Sequence, residues 1–564
     1  VSAKRQPFPL GTALLAGLKN YSWKTFRADL TAGMIVSLVA LPLSMALAIA
    51  VGLPPRHGLY TAIVAGMAAA LFGGSRFQVS GPTAAFVVIV APIVKDMGLH
   101  GLIWCQLLAG LILIAMGSLR LGRLVHYVPY PVVTGFTAGI AVTIAMLSLN
   151  DFMGLGIANL SGPFIAKATM IWEHLPAMKW PDVAVGMATL LGIIFFPKLT
   201  HKIPAPAVGI ALGAGMAYVL SHYGMGVETL YTKFSYTDAA GLTQQGIQPY
   251  PPVLHWPGGA DPLFAFPSWD EFRTLFRTAL VVAALAALES LLSATVADSM
   301  TRTHHDPDAE LNGIGIANIF SGLASGIPAT GALARTAANI HAGAKTPFAS
   351  FIHALLILVY VMTLAPYISY IPMAALSALL LVVAYRMSHI HQCIRIFRLA
   401  PKSDTAVMLI SFFLTVFIDM VAGVLVGMML ATLLFMKRIA DFSTLSISSH
   451  KKPDSFHGKV PKGAMVYRFE GPLFFGSINR TLEGADYIDS DITKLVIDLS
   501  SVPMIDMTGM FGIKTFLMTV AQPGRKIFLC GDAKITNRIR RKIKGEPFAH
   551  SVRFTPHVQD AINA

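Results

Sequence analysis

From about Phe26 to about Ile439, apolar runs of about 20 residues alternate with short polar connections. As helices, runs of that length cross a ~30 Å hydrocarbon core. The pattern leaves room for roughly fourteen crossings, several of them short or broken by Gly and Pro. From Met465 the rhythm changes. "AMVYRFEGPLFFGS" and "TKLVIDLSSVPMIDMTG" each pair a β-rich run with a turn, "GMFGIKTFLMTVA" reads as a helix and "RKIFLCGDA" as another strand. The stretch "TLSISSHKKPDSFHGKVP" between the two regions reads as a polar linker. The pattern thus predicts an N-terminal segment (1–25), an α-helical polytopic membrane domain (26–440), a linker (441–461) and a soluble α/β domain (462–564).

Composition agrees with the membrane reading. Of 564 residues, 54% are hydrophobic and 13% charged, against about 25% charged in soluble domains. The net charge of +14 does not point to nucleic acid, because the basic residues fall in short loops. Arg120 and Arg123, Lys198 and Lys202, Arg302, Lys345, Arg386, Arg395, Arg398, Lys402, Lys437 and Arg438 all belong to loops on one predicted side. The longest opposite loop, about Tyr223 to Glu271, carries Glu228, Asp238, Asp261 and Asp270 against Lys233. Lys/Arg bias sets orientation, so both termini and the C-terminal domain are expected in the cytoplasm. "VSAKRQPFPL" has no cleavable-signal pattern. Cys105, Cys393 and Cys530 lie far apart and suggest neither a disulfide framework nor a metal site. No nucleotide, hydrolase or metalloprotease motif occurs, so an enzyme is not expected and any driving force would be a gradient.

Two segments repeat one design. "GLYTAIVAGMAAALFGGSRFQVSGPTAAF" (Gly58–Phe86) and "LNGIGIANIFSGLASGIPATGALART" (Leu311–Thr336) each run from a small-residue helix through a Gly-rich break to a new helix start. Paired interruptions in two halves point to a transporter's binding site; two Gly-kinked packing helices would leave the same trace. In the first, Ser80 is the expected cap, Pro82 the first turn, and Thr83 to Phe86 follow. In the second, Thr330 is the expected cap for a helix through Leu333 and Arg335. Such half-helix N-termini offer unpaired N–H groups to an anion. Glu289 lies mid-span in "TALVVAALAALESLLSATVADSM", with Ser293 on the same face. A carboxyl there suits proton coupling, and a structural Glu289–Arg335 ion pair is the alternative. Asp419 is expected at a helix end, and His57 and His353 near helix ends as interfacial or hydrogen-bonded groups.

The stretch "LPLSMALAIAVGLPPRHGLYTAIVAGMAAALFGGSRFQVSGPTAAFVVI", with "ALESLLSATVAD" and "ATGALARTAANI", resembles the SulP/SLC26 anion transporters over essentially the whole chain. Within that family "GGSRFQVSGPTAAFVVI" and "EGPLFF" resemble a bacterial C4-dicarboxylate transporter. The resemblance implies a UraA-like fold of seven plus seven inverted segments with core and gate domains, a homodimer, and an elevator movement. It places a substrate site at Pro82, Thr83, Ala84 and Ala85 of the third segment and Gly331, Ala332, Leu333, Ala334 and Arg335 of the tenth. Leu47 of the first segment would line it, and Glu289 and Ser293 of the eighth would serve proton coupling. Two departures stand out: Ala334 replaces a serine, and Leu47 an aromatic, of several animal members. Both favour a larger organic anion over a small halide. The C-terminal part resembles a STAS domain, with Asp506 and Thr508 in its "IDMTG" loop and Met507 where the related antagonists have a phosphorylated serine. That departure puts a phosphorylation switch in doubt.

The expected function is proton-coupled uptake of C4-dicarboxylates such as succinate, fumarate or aspartate across a bacterial inner membrane. Sodium is the less favoured coupling ion, and no cofactor is expected. Sulfate or bicarbonate transport is the alternative within the family; a passive anion channel and a STAS-based regulator with a cytoplasmic protein partner are the further ones.

Overall fold

A computed structural model describes residues 9–19, 21–123, 128–158, 160, 162–200, 203–238, 240–257, 262–449, 460–477, 488 and 491–564. Lys202, Asp261, residues 450–459 of the expected linker and the first eight residues lie outside this set. The chain forms two compact units, Val1–Met428 and Met429–Ala564.

In the first unit a short helix α1 (Thr12–Leu18) precedes α2 (Trp23–Val51). Ser22 caps α2 by accepting from Thr25 N at 3.2 Å, and Gly52 ends it at φ 93°. Next come α3 (Pro55–Phe72), the three-residue strand β1 (Ser80–Pro82) and α4 (Ala85–Ser118). Gly98, at φ 63° and ψ −156°, breaks α4 into two arms. Then follow α5 (Tyr130–Phe152), α6 (Phe164–His174), α7 (Trp180–Phe195) and α8 (Ala205–His222). A connection with the turn α9 (Leu230–Lys233) and the hairpin β2 (Ser235–Thr237)–β3 (Thr243–Gln245) leads to α10 (Trp269–Thr301), which opens on a Ser268–Glu271 capping box. The unit continues through α11 (Pro307–Leu323), β4 (Ala329–Gly331), α12 (Leu333–His341), α13 (Phe348–Ile368), α14 (Met373–Met387), α15 (Ile390–Leu399), α16 (Lys402–Phe417) and α17 (Met420–Phe442), within which the boundary to the second unit falls.

Nine described helices are long and apolar enough to span a bilayer. The other crossings are shorter or merged, which is why the sequence pattern counts more. Seven segments precede the long connection (α2, α3, the two arms of α4, α5, α7, α8) and seven follow it (α10 to α14, α16, α17). With nine residues, α12 rises only about 14 Å and cannot cross. Packing sorts the segments into two sets. α2, α3, α4, α10, α11, α12 and β4 pack on one another together with α13, whereas α5 packs on α14 and α16, and α7 on α8 and α14. Small residues permit close crossing: a Cβ at Gly110 would lie 2.7 Å from Gly315 O, and one at Gly315 2.7 Å from Gly110 O.

The second unit contains a five-stranded sheet ordered β5 (Thr444–Ser449), β6 (Ala464–Glu470), β7 (Lys494–Ser501), β8 (Lys526–Cys530), β9 (Val552–Thr555). β5 and β6 are antiparallel and the other pairs parallel. Helices α18 (Met507–Val520), α19 (Ala533–Ile543) and α20 (Val558–Asn563) follow β7, β8 and β9. Tyr467, Phe469, Leu495, Ile497, Ile513 and Phe516 form its core. This corrects the expected boundary: Thr444–Ser449, placed in the linker from its polar composition, pairs with β6 and belongs to the sheet. Edge strands tolerate such composition because one side of their ladder faces solvent.

Candidate substrate site between two half-helices

The two breaks meet. β1 and β4 pair antiparallel, Ser80 opposite Gly331, Gly81 opposite Thr330 and Pro82 opposite Ala329. Ala332 N donates to Val79 O at 3.0 Å and continues the ladder. From the ends of this ribbon start α4 and α12, neither with a side-chain cap. In α4 the N–H groups of Phe86 and Val87 turn back to Thr83 O and Ala84 O at 3.4 and 3.1 Å, and the positive ends of both helix dipoles lie at the ends of the ribbon, where an anion is favoured. The expected caps are corrected here. Ser80 and Pro82 lie in β1 rather than at the helix start. Thr330 lies in β4, where its hydroxyl donates to Ala286 O at 2.9 Å and bonds Ser290 Oγ at 2.8 Å. Partners on α10 outcompete the local cap.

Buried polar side chains hold the ribbon from behind. Asn318 of α11 accepts from Ala329 N (3.0 Å) and donates to Ala329 O (2.8 Å), as a further strand would. Gly331 N donates to Ser290 Oγ (2.9 Å), Val79 N to Thr336 Oγ1 (3.1 Å) and Asn339 Nδ2 to Phe77 O (2.8 Å). Glu310 accepts from Gly74 N (2.9 Å), Ser75 N (3.0 Å) and the Gln78 amide. Sequence reasoning missed these clamps. Their signal was present, as polar residues inside small-residue helices, but which backbone each would meet is a tertiary fact.

The candidate residues gather in front. Arg335, in the first turn of α12, is 2% exposed, and its Nη2 donates to Pro82 O at 2.6 Å. Its Nε and Nη1 have no hydrogen-bond partner among the described residues, although a buried donor left unmade costs about 1–3 kcal/mol. Gly81, at φ 153°, makes room: a Cβ there would lie 2.7 Å from Arg335 Nη1. Thr83 Oγ1 donates to Glu289 Oε2 at 3.0 Å, so the carboxylate faces the start of α4. Glu289 is partly exposed and forms no ion pair with Arg335 among the described residues, contrary to the alternative of a structural pair. Ser293 turns instead to Thr336 Oγ1 at 3.2 Å. Ala84, Ala85 and Gly331 are buried, Ala332 half-buried, and Leu333 and Ala334 exposed. Leu47 is buried near the C-terminal end of α2, a helix packed against α12 and β1.

Asp419 accepts from Ala422 N at 2.8 Å at the start of α17. His57 is buried in the first turn of α3 and bonds Ser325 O through Nδ1 at 2.6 Å. His353 departs from expectation: it is fully buried in α13, and neither ring nitrogen has a hydrogen-bond partner among the described residues. In the second unit Asp506 caps α18 by accepting from Gly509 N at 2.7 Å. Met507 is 56% exposed beside it, and Thr508 is exposed.

Comparison with known proteins agrees with this architecture. The sulfate permease family matches residues 26–411 and the STAS domain residues 457–561. The "Putative sulfate transporter YvdB" of Bacillus subtilis is 34% identical over 517 residues, covering 91% of this chain and 93% of that protein. The "Bicarbonate transporter BicA" of Picosynechococcus is 27% identical over 548 residues, covering 93% and 91%. The structure of murine Slc26a9 in its inward-facing state superposes with a TM-score of 0.83 at 19% identity, over 98% of this chain and 93% of that one. The transmembrane domain of a cyanobacterial BicA superposes at 0.59 with 27% identity, over 73% and 98%. With its helical membrane fold, its paired half-helices and its C-terminal sheet domain, the chain belongs to the sulfate permease (SulP/SLC26) family of anion transporters, with a STAS domain at its C-terminal end.

Proposed function

We propose that this transporter is a secondary active carrier that couples proton entry to the uptake of C4-dicarboxylates such as succinate, fumarate or aspartate. It would act as a homodimer in the bacterial cytoplasmic membrane, with the STAS domain in the cytoplasm. The observation that carries the reading is Arg335, buried at the start of α12 with Nε and Nη1 unspent. A guanidinium fork suits a carboxylate, and the uncapped start of α4 adds a second attraction from the facing side. Ala334 presents a methyl where a hydroxyl would favour a small halide.

Glu289 supplies the coupling. Protonation removes a negative charge beside the substrate and leaves Arg335 unopposed. It also turns the carboxyl from an acceptor of the Thr83 hydroxyl into a donor. The loaded site then moves with the set of helices that carries it, in an elevator stroke. Glu289→Gln is expected to abolish accumulation driven by an inward proton gradient while exchange persists. Labelled succinate uptake into proteoliposomes, with and without the gradient, measures this; undiminished acid-driven accumulation in the variant would sink the coupling role.

A second reading rests on the names of the relatives, which are sulfate and bicarbonate transporters. Two half-helix termini attract any small oxyanion. Running the same vesicles with labelled sulfate and bicarbonate decides between them, the preferred substrate being the one whose uptake competes out the others.

A further inference from the structure

The amphipathic helix α15 is the feature that transport chemistry leaves unused. Ile390, Cys393, Ile394 and Phe397 follow the i, i+3, i+4, i+7 spacing of one helix face, and His391, Arg395 and Arg398 occupy the other. Ile396 is buried against the protein, whereas Ile390, Ile394 and Phe397 are exposed, Phe397 by 65%. Arg386 precedes the helix and Lys402 follows it; with Arg395 and Arg398 they are exposed cations without an ion-pair or hydrogen-bond partner among the described residues. The acid of this stretch, Asp404, sits in the first turn of α16.

A second short helix gives the contrast. α6 joins α5 to α7 as α15 joins α14 to α16, and it too exposes apolar residues, Ile165 and Trp172. It carries Lys167 and Glu173, one charge of each sign. The two helices lie at opposite ends of α5, whose 23 residues span about 34 Å. Tyr130, the first residue of α5, donates to Gln392 of α15 at 2.6 Å, whereas α6 follows the last turn of α5. The basic helix is thus on the side of Arg120 and Arg123.

We propose that α15 lies in the membrane interface and selects anionic phospholipid headgroups. Ile390, Ile394 and Phe397 enter the acyl boundary, and Arg386, Arg395, Arg398 and Lys402 meet the phosphates. A helix of this kind binds by its buried apolar face plus electrostatic attraction to anionic lipid. The basic side is the leaflet where positive-inside topology puts such charges.

Cys393 provides a local reporter. It is half-buried on α15, whereas Cys105 and Cys530 are buried, and burial pushes the Cys530 thiol up to about 11. The full chain, labelled at Cys393 with a fluorophore, is reconstituted with spin-labelled phosphatidylglycerol or phosphatidylcholine as quencher. Phosphatidylglycerol is expected to reach half-quenching at roughly fivefold lower mole fraction, in line with the attraction of basic residues near a charged surface. R395Q/R398Q should bring the two curves together, and R395K/R398K should keep them apart. In wild type, 0.5 M salt should also merge them, because it shortens the screening length to roughly 4 Å; this arm stands even where a variant fails to fold. Coincident curves for wild type at low salt, or an undiminished preference in R395Q/R398Q, would overturn the proposal.

Discussion

At the scale of single residues, the site depends on one arginine being allowed an unusual place. Arg335 is buried at a helix start where its one hydrogen-bond partner among the described residues is a carbonyl, and its unspent nitrogens are what an anion would satisfy. Gly81 makes this packing feasible, because its backbone lies where a side chain would strike the guanidinium. Gly81→Ala is therefore expected to displace Arg335 and also to strain a φ of 153°, reserved for glycine. Substrate affinity, read by isothermal titration on the purified full chain, should fall at least tenfold while expression and oligomer size persist. Unchanged affinity would mean that Arg335 does not meet the substrate. The candidate residues were legible in the sequence because a charge amid glycine and alanine inside a membrane segment has few uses. Their partners were not. That Arg335 meets Pro82 O while Glu289 meets Thr83 depends on side-chain reach across a gap that no spacing rule measures.

At the scale of elements, the sequence pattern identified both breaks but not what they become. Glycine and proline announced the end of regular helix, and hydroxyls nearby suggested caps. A three-residue strand has too few positions to show a period of two, so the β1–β4 ribbon left no trace. The capping rule failed for a related reason: inside a packed membrane domain a threonine finds carbonyls and hydroxyls on other helices, as Thr330 does on α10. The ribbon then needs polar neighbours to close its outer edge, since its residues are buried in the protein. Asn318 does so with two bonds to Ala329. Asn318→Ala leaves a buried N–H and a buried C=O unmet, at about 1–3 kcal/mol each. The expected result is a clear fall in melting temperature of the full chain in detergent together with weaker substrate binding. A variant that melts like wild type would show that the ribbon holds without its clamp. The error at Thr444–Ser449 belongs to this scale as well, since an edge strand with serine at alternate places reads as linker until its partner is seen.

At the scale of the whole membrane unit, the distribution of polar contacts bears on how an anion would cross. Side-chain hydrogen bonds between membrane helices, among the described residues, run within one packing set or within the other. Thr83–Glu289, Asn318–Ala329, Asn339–Phe77 and the Glu310 cluster bind the set that carries the site into one body. Tyr130–Gln392 lies in the opposing set. Where α2 meets α14, α5 and α8, and where α4 meets α5, no side-chain hydrogen bond joins the helices among the described residues. An apolar seam between two internally stitched bodies can slide without unmaking buried hydrogen bonds, whereas a fixed pore would need no such seam. A carrier of this kind returns faster when loaded, so substrate on the far side should speed uptake from the near side. Vesicles preloaded with unlabelled substrate are therefore expected to take up label several-fold faster than empty ones, with uptake saturating as external substrate rises. The Glu289→Gln chain should keep this exchange, because a loaded site whose residue 289 neither takes up nor releases a proton still moves. A channel gives neither saturation at low concentration nor trans-acceleration, and unitary currents in planar bilayers with flat preloading curves would replace the sliding body with a conduit.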